Sequence, residues 1–209
     1  MTSGSPAKPE SKGGVVQFLR ELPGLVLMAF ALALLIKTFL VQAFFIPSGS
    51  MVPTLEVGDR VLVVKVPYWF GDPARGDIVV FEKTDRSGGS QPDRGVVGGA
   101  FDWLGEGLGF QPPENPDYIK RVIGVPGDVV WAKQGKVFVN GTPIVEPYLT
   151  QSTGNFSKTN VPKGKLFVMG DNRGNSLDSR AGLGFVPIDH VVGKAFITIW
   201  PVGRLNLID

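Results

Sequence analysis

A serine hydroxyl is a poor nucleophile until a base takes its proton, and this chain offers few bases. It holds no cysteine and one histidine, His190. That excludes a thiol nucleophile, a thiolate zinc site, an iron–sulfur cluster, a disulfide scaffold and any multi-histidine metal site. His190 follows Pro187-Ile188-Asp189 and reads as a surface-turn residue, so a histidine-based triad stays open only as a lesser alternative. Lysine is the other base known to serve serine. It must be neutral to accept a proton, yet its free pKa is ~10.4. Desolvation in an apolar site lowers that value, and ~7–8 suits a catalytic base. The lysine to look for therefore sits inside an apolar strand. Lys120, in Tyr118-Ile119-Lys120-Arg121-Val122-Ile123-Gly124, meets the condition, whereas Lys65 and Lys194 lie at the ends of apolar runs. Strand alternation places Lys120 on one face with Tyr118 and Val122, and Arg121 on the other. An exposed lysine on an edge strand is the plainer alternative.

Candidate serines stand in Ile46-Pro47-Ser48-Gly49-Ser50-Met51-Val52-Pro53-Thr54-Leu55. Two prolines and a glycine set an irregular, extended backbone there, and Gly49 lets another chain approach closely. A simple linker has the same composition. A third polar cluster, Gly170-Asp171-Asn172-Arg173-Gly174-Asn175-Ser176-Leu177-Asp178-Ser179-Arg180, follows an apolar strand. Read functionally, it is a support loop: Ser176 could orient a lysine amine, and Asp178 with Arg180 could pair to hold the loop. Read plainly, it is a surface turn rich in Asp and Asn. Its Asp-x-Asn lacks the further acidic ligands and final Glu of a calcium loop, so no metal is expected.

The elements around these residues are mostly strands. Gly 28 and Pro 17 in a chain of 209 residues imply many turns and a β-rich body. Expected strands are 61–66, 77–83, 118–125, 129–132, 136–139, 142–145, 166–169 and 195–200. Gln134-Gly135 and Asn140-Gly141 are the dipeptides of tight hairpins. Residues 84–117 form a Gly/Pro-rich insertion, too long for an ordinary loop. Hydrophobic residues at 43% and charged residues at 19% exclude a disordered chain or a coiled coil. A net charge of +2 lacks the basic excess of a nucleic-acid binder.

Upstream, Leu22–Ile46 is apolar apart from Lys37 and Gln42, long enough for the ~20 residues of a membrane span. A cleavable leader is disfavoured, because no small-x-small site follows at a suitable distance. A buried soluble helix is the remaining alternative. Lys8, Lys12 and Arg20 before the stretch, against Arg60 and Lys65 after it, lean towards a cytoplasmic N-terminus. If Phe45 ends the span, Ser50 lies within ~18 Å of the membrane surface, since each extended residue reaches ~3.3–3.6 Å. Its substrate is then expected to be membrane-bound as well.

The three clusters, in this order behind one apolar stretch, resemble bacterial type I signal peptidases. Matching strings are Pro47-Ser48-Gly49-Ser50-Met51 with Pro53-Thr54-Leu55, Tyr118 to Gly124 with Pro126-Gly127-Asp128, the 170–180 run, Val192-Gly193-Lys194-Ala195 and Trp200-Pro201. The resemblance implies a mainly β fold: an N-terminal transmembrane helix and an antiparallel β catalytic core with a smaller β insertion. It implies Ser50 as nucleophile and Lys120 as general base. The Ser50 N–H and the Ser48 hydroxyl would form the oxyanion hole. Ser176 would orient Lys120, Asp171, Asp178 and Arg180 would support the site, and Met51 would line the substrate groove. The activity implied is membrane-bound endoproteolytic removal of signal peptides from exported preproteins, after Ala-x-Ala-type small residues, through an acyl-enzyme. The resemblance implies no cofactor, metal or nucleic acid, and as partners preproteins and membrane lipid.

The domains expected are a disordered cytoplasmic tail over 1–21, an anchor over 22–45 and an extracytoplasmic catalytic region over 46–209. That region would carry the 84–117 insertion and a small β-hairpin subdomain near 130–161. The expected location is the plasma membrane, single-pass. Gly174 stands where many relatives carry Asp, and Ala181-Gly182-Leu183-Gly184 replaces an aromatic-containing stretch, which bears on substrate preference. Self-cleaving repressors of the LexA type resemble the same core and use a Ser/Lys pair, but carry a DNA-binding helix-turn-helix where this chain has its apolar stretch. A membrane-tethered β-domain that binds without catalysis is the other rival.

Overall fold

The structure, a computed structural model, describes residues 13–66, 68, 71–82 and 118–208, with the side chains of 13–17 and 34–39 left aside. The 84–117 insertion and the first residues of the expected tail lie outside the described residues. The chain divides into two units, residues 1–38 and 39–209, each described by itself.

In the first unit, α1 runs Gly13–Phe39, the last residue crossing the unit boundary. Gly13 to Glu21, expected within a disordered tail, are its opening turns. Val15, Val16, Phe18 and Leu19 are not the composition of a chain that stays unfolded. Leu25, Val26, Leu27, Met28, Phe30 and Leu32 are all exposed on this helix. Among the described residues, no helix is long and apolar enough to cross a membrane.

The second unit begins with β1, Val41–Phe45, which pairs antiparallel with β2, Arg60–Val64. The stretch expected as one anchor over 22–45 is therefore helix only as far as Phe39. A continuous apolar run looks alike as buried helix and as strand. Then follow β3 (Ile78–Phe81), β4 (Tyr118–Gly124), β5 (Val129–Lys133), β6 (Lys136–Val139) and β7 (Thr142–Pro143). The last are β8 (Phe156–Asn160), β9 (Lys165–Met169), β10 (Val186–Pro187), β11 (Val191–Trp200) and β12 (Asn206–Leu207).

Two antiparallel sheets result. The larger has the order β1-β2-β11-β3-β4-β9-β10, with β12 added to β11; the smaller has the order β7-β6-β5-β8. The two expected hairpins close the smaller sheet, β5 to β6 and β6 to β7. Gln134 and Gly135 have φ of 53° and 82°, and Asn140 and Gly141 have 52° and 92°. Paired positive φ values match the strand twist.

β4 is central in the large sheet, with Lys120 opposite Val79 on β3 and Arg121 opposite Met169 on β9. Every β4 residue after Tyr118 is buried, so both faces are covered. One core packs Phe44, Ile46, Met51, Leu55, Val61 and Val63 against Ile78 and Val80. Another joins Val130, Val137 and Val139 of the small sheet to Ile123, Phe167 and Met169 of the large one.

Candidate active site

Ser50 sits in a 3-10 turn, Gly49–Met51, reached directly from β1. Ile46 anchors the entry: its N–H donates to Asp59 O at 2.9 Å, and its carbonyl accepts Gly58 N–H at 2.9 Å. Met51 and Leu55 then turn into the core, each 0% exposed. Met51, expected to help line the substrate groove, packs among the core side chains of this turn. Ser50 is left on the turn with its hydroxyl aimed at β4.

Lys120 Nζ donates to Ser50 Oγ at 2.7 Å and to Ile119 O at 2.9 Å. Both residues are buried, Ser50 8% and Lys120 3% exposed. Burial disfavours the charged amine and pulls the Lys120 pKa down to about 8, against an opposing pull from Asp178 and Asp171. At that value roughly a tenth of the amine is neutral at pH 7, against well under a thousandth at ~10.4, and a neutral amine can accept the Ser50 proton. Ser48 Oγ lies 3.4 Å from Ser50 Oγ.

The loop after β9 wraps this turn. Asn172 N–H donates to Ser50 O at 3.0 Å and its Nδ2 to Gly49 O at 2.9 Å. Gly170 packs so closely that a Cβ there would lie 2.2 Å from Ser176 Oγ and 2.4 Å from Ser50 O. Only a glycine fits between them. Asp178, fully buried, accepts Gly170 N–H at 3.0 Å and Arg180 Nε and Nη2 at 2.9 and 2.7 Å. Burial pushes its carboxyl up, but the Arg180 and Gly170 hydrogen bonds outweigh that and hold it below the usual carboxylate range. Asp171 accepts Arg121 Nε and Nη2 at 3.0 and 2.8 Å and Thr54 Oγ1 at 2.5 Å.

Ser48, Ser50, Lys120, Asp171, Asp178 and Arg180 thus gather around one turn. Ser176 reaches the same place but makes no bond to Lys120: its Oγ is buried without a hydrogen-bond partner among the described residues. His190 belongs elsewhere, in a 3-10 turn leading into β11, where its carbonyl accepts Glu82 N–H. Lys194 pairs with Asp77 at 2.5 Å. Among the described residues no cluster of acidic and imidazole side chains could hold a metal.

Thr54, Arg121, Asn172, Arg173, Glu146 and Thr153, to which the sequence alone assigns no role, also join the site. Arg173 donates to Gly170 O at 3.0 Å and bonds Glu146 and Thr153. A Cβ on Gly174 would lie 2.8 Å from Gln151 Oε1, the free end of an exposed side chain that can turn aside.

The sequence matches the family described as signal peptidase, peptidase S26, over residues 19–200. Signal peptidase I of Leptolyngbya laminosa is 41% identical over 86% of this chain and 78% of its own length. The signal peptidase I of Mycobacterium tuberculosis is 36% identical over 91% of this chain and 75% of its own. That of Bacillus licheniformis is 33% identical over 88% and 90%.

Proposed function

The chain belongs to the signal peptidase family, peptidase S26, and is a serine endopeptidase that removes signal peptides; from that premise we propose that Ser50 is its nucleophile and Lys120 its general base. The observation that carries the reading is the buried 2.7 Å contact between Lys120 Nζ and Ser50 Oγ. With the amine neutral, the same contact runs the other way, and the Ser50 O–H donates to the nitrogen lone pair. Lys120 takes that proton as Ser50 Oγ attacks the scissile carbonyl carbon. The ammonium then gives the proton to the leaving amide nitrogen, and an acyl-enzyme forms. A water, deprotonated by Lys120, hydrolyses the ester.

A 3-10 turn leaves its first amides without internal acceptors, so the Ser50 N–H is available to the developing oxyanion. The exposed Ser48 hydroxyl beside Ser50 Oγ supports its place as second donor. Losing one such donor typically costs ~2.7–4 kcal/mol in the transition state. The buried, unpartnered Ser176 Oγ next to Gly170 supports a role in taking a hydrogen from the Lys120 amine. Asp171, Asp178 and Arg180 hold the loop and do not react.

The substrates in this reading are exported preproteins cut after Ala-x-Ala-type small residues. The unit containing α1 is a membrane anchor, with its N-terminal side in the cytoplasm and the catalytic region outside. The exposed apolar side chains of α1 support the anchor, because a helix apolar around its circumference needs a cover. Carbonate extraction tests it: the chain should stay with the membrane pellet, and release into the supernatant would contradict a spanning anchor.

Cleavage of a purified preprotein carrying Ala-x-Ala, followed by mass spectrometry, tests the chemistry. Wild type should cut after the second Ala and Ser50→Ala should not. Undiminished cutting by Ser50→Ala would remove Ser50 from the role. No cutting by folded, lipid-supplied wild type would favour a binding module.

A further inference from the structure

Arg173 touches neither Ser50 nor Lys120, yet its side chain is only 1% exposed and fully engaged. Nε donates to Gly170 O at 3.0 Å. Nη1 bonds Thr153 Oγ1 and, at 3.3 Å, Glu146 Oε2, while Nη2 pairs with Glu146 Oε1. Its backbone carbonyl accepts Arg180 Nη2 at 3.0 Å. Glu146 and Thr153 come from the loop between β7 and β8, in the small sheet. The same loop supplies Tyr148, whose hydroxyl donates to Glu146 at 2.9 Å and whose ring centre lies 3.9 Å from the Arg121 guanidinium. Arg121 in turn grips Asp171. One loop of the small sheet therefore holds two arginines, and these fix Gly170 and Asp171, consecutive residues packed against the Ser50 turn.

We infer that Arg173 is a positioning residue for the Ser50–Lys120 pair, acting through Gly170 and held by Glu146 and Thr153 of the small-sheet loop. The inference rests on the reading of Ser50 and Lys120 given above. Gly170 is the lever because no slack exists there. The space beside its Cα is filled by Ser176 Oγ and Ser50 O, so that a Cβ there would clash with both, and a shift of Gly170 is felt by both. A buried ion pair in which all three guanidinium nitrogens are hydrogen-bonded holds one arrangement far more stiffly than a surface pair. The small sheet then serves catalysis directly, as the fixed post for the loop that cradles the nucleophile.

The test compares full-length wild type, Arg173→Met, Glu146→Gln, Thr153→Val and Ser50→Ala in detergent on one preprotein, with thermal melts to verify folding. Folded Arg173→Met should lose about 10–100-fold in kcat, the scale of a small misplacement of reacting groups. Its KM should stay within about twofold, because positioning rather than substrate contact is removed. Its acidic pH limb should move to higher pH, as water reaches Lys120. Glu146→Gln and Thr153→Val should shift both quantities in the same direction, less far. Arg173→Met with wild-type kcat and an unmoved pH limb would overturn the inference. If Arg173→Met does not fold, the two loop variants decide, and wild-type rates and limbs in both would overturn it equally. Wild type active, Ser50→Ala dead and the Arg173 series unaffected would remove the positioning role alone. Ser50→Ala as active as wild type would remove the pair that Arg173 is said to position.

Discussion

Lys120 and Arg121 are neighbours on β4, each 3% exposed, facing opposite sides of one sheet. Arg121 meets a carboxylate with two parallel hydrogen bonds, an aromatic face and the Gly76 carbonyl. Lys120 meets a hydroxyl and a carbonyl, with the Tyr118 ring at 5.8 Å. Buried cations ordinarily need a counter-charge. Arg121 has one and stays a structural cation. Lys120 has no carboxylate in contact among the described residues, and burial drives it towards the neutral amine. A base is made here by withholding the partner that the next residue receives. Asp171 and Asp178 act on Lys120 only from a distance, and Arg121 and Arg180 engage their carboxylates.

The most severe way to break the contrast is Lys120→Met. It should abolish cleavage, by at least about 10⁴-fold, the scale of losing a base that works as a unit with its nucleophile. It should also change the pH dependence of stability. In wild type the folded pKa, about 8, lies below the unfolded value of ~10.4. Between those values the unfolded chain binds more protons, so stability rises with pH across that window. Melts of Lys120→Met should lack this rise, and an identical slope in both proteins would mean that Lys120 is not the perturbed group.

Next in size is Gly170→Ala. A methyl group has 2.2 and 2.4 Å to Ser176 Oγ and Ser50 O, far inside contact distance. The turn must move away from Lys120, and kcat should fall by about 10²-fold or more. Wild-type turnover would show that the wedge does not set the geometry of the pair.

Asp171→Asn attacks the other side of the comparison. It leaves the Arg121 cation buried beside a neutral amide, which should cost about 3–5 kcal/mol of stability by chemical denaturation. Turnover per folded molecule should change much less, within about tenfold, because Asp171 is not in contact with the reacting atoms. A stable variant with collapsed turnover would reverse the roles assigned to the two faces.

The half of the site made by Ser50 and Lys120 was legible because its chemistry is local. A lysine between apolar neighbours and serines between prolines and a glycine are conspicuous within short windows. The alternation that put Arg121 opposite Lys120 was readable too, but its partner was not. Asn172 reaches Gly49 across 123 positions, and Arg173 reaches Glu146 across 27. No spacing rule links residues brought together only by sheet topology. The two hairpins were legible from Gln134-Gly135 and Asn140-Gly141, whereas β8, Phe-Ser-Lys-Thr-Asn, is a half-exposed edge strand without apolar alternation. Val41–Phe45 was absorbed into the expected anchor because no break in apolar character separates it from α1. Met51 belongs to the groove only by resemblance; that it shares a buried cluster with Leu55 and Val61 is a fact of tertiary packing that no short window carries.

In this reading Lys120, its pKa lowered by burial with no carboxylate in contact among the described residues, is the base. The most direct measurement is the pH dependence of kcat/KM for wild type and His190→Gln on one preprotein. The expected profile is a single acidic limb with an apparent pKa near 8, falling about tenfold per pH unit below it and unchanged when His190 is replaced. An acidic limb that disappears or moves in His190→Gln would take the role of base away from Lys120.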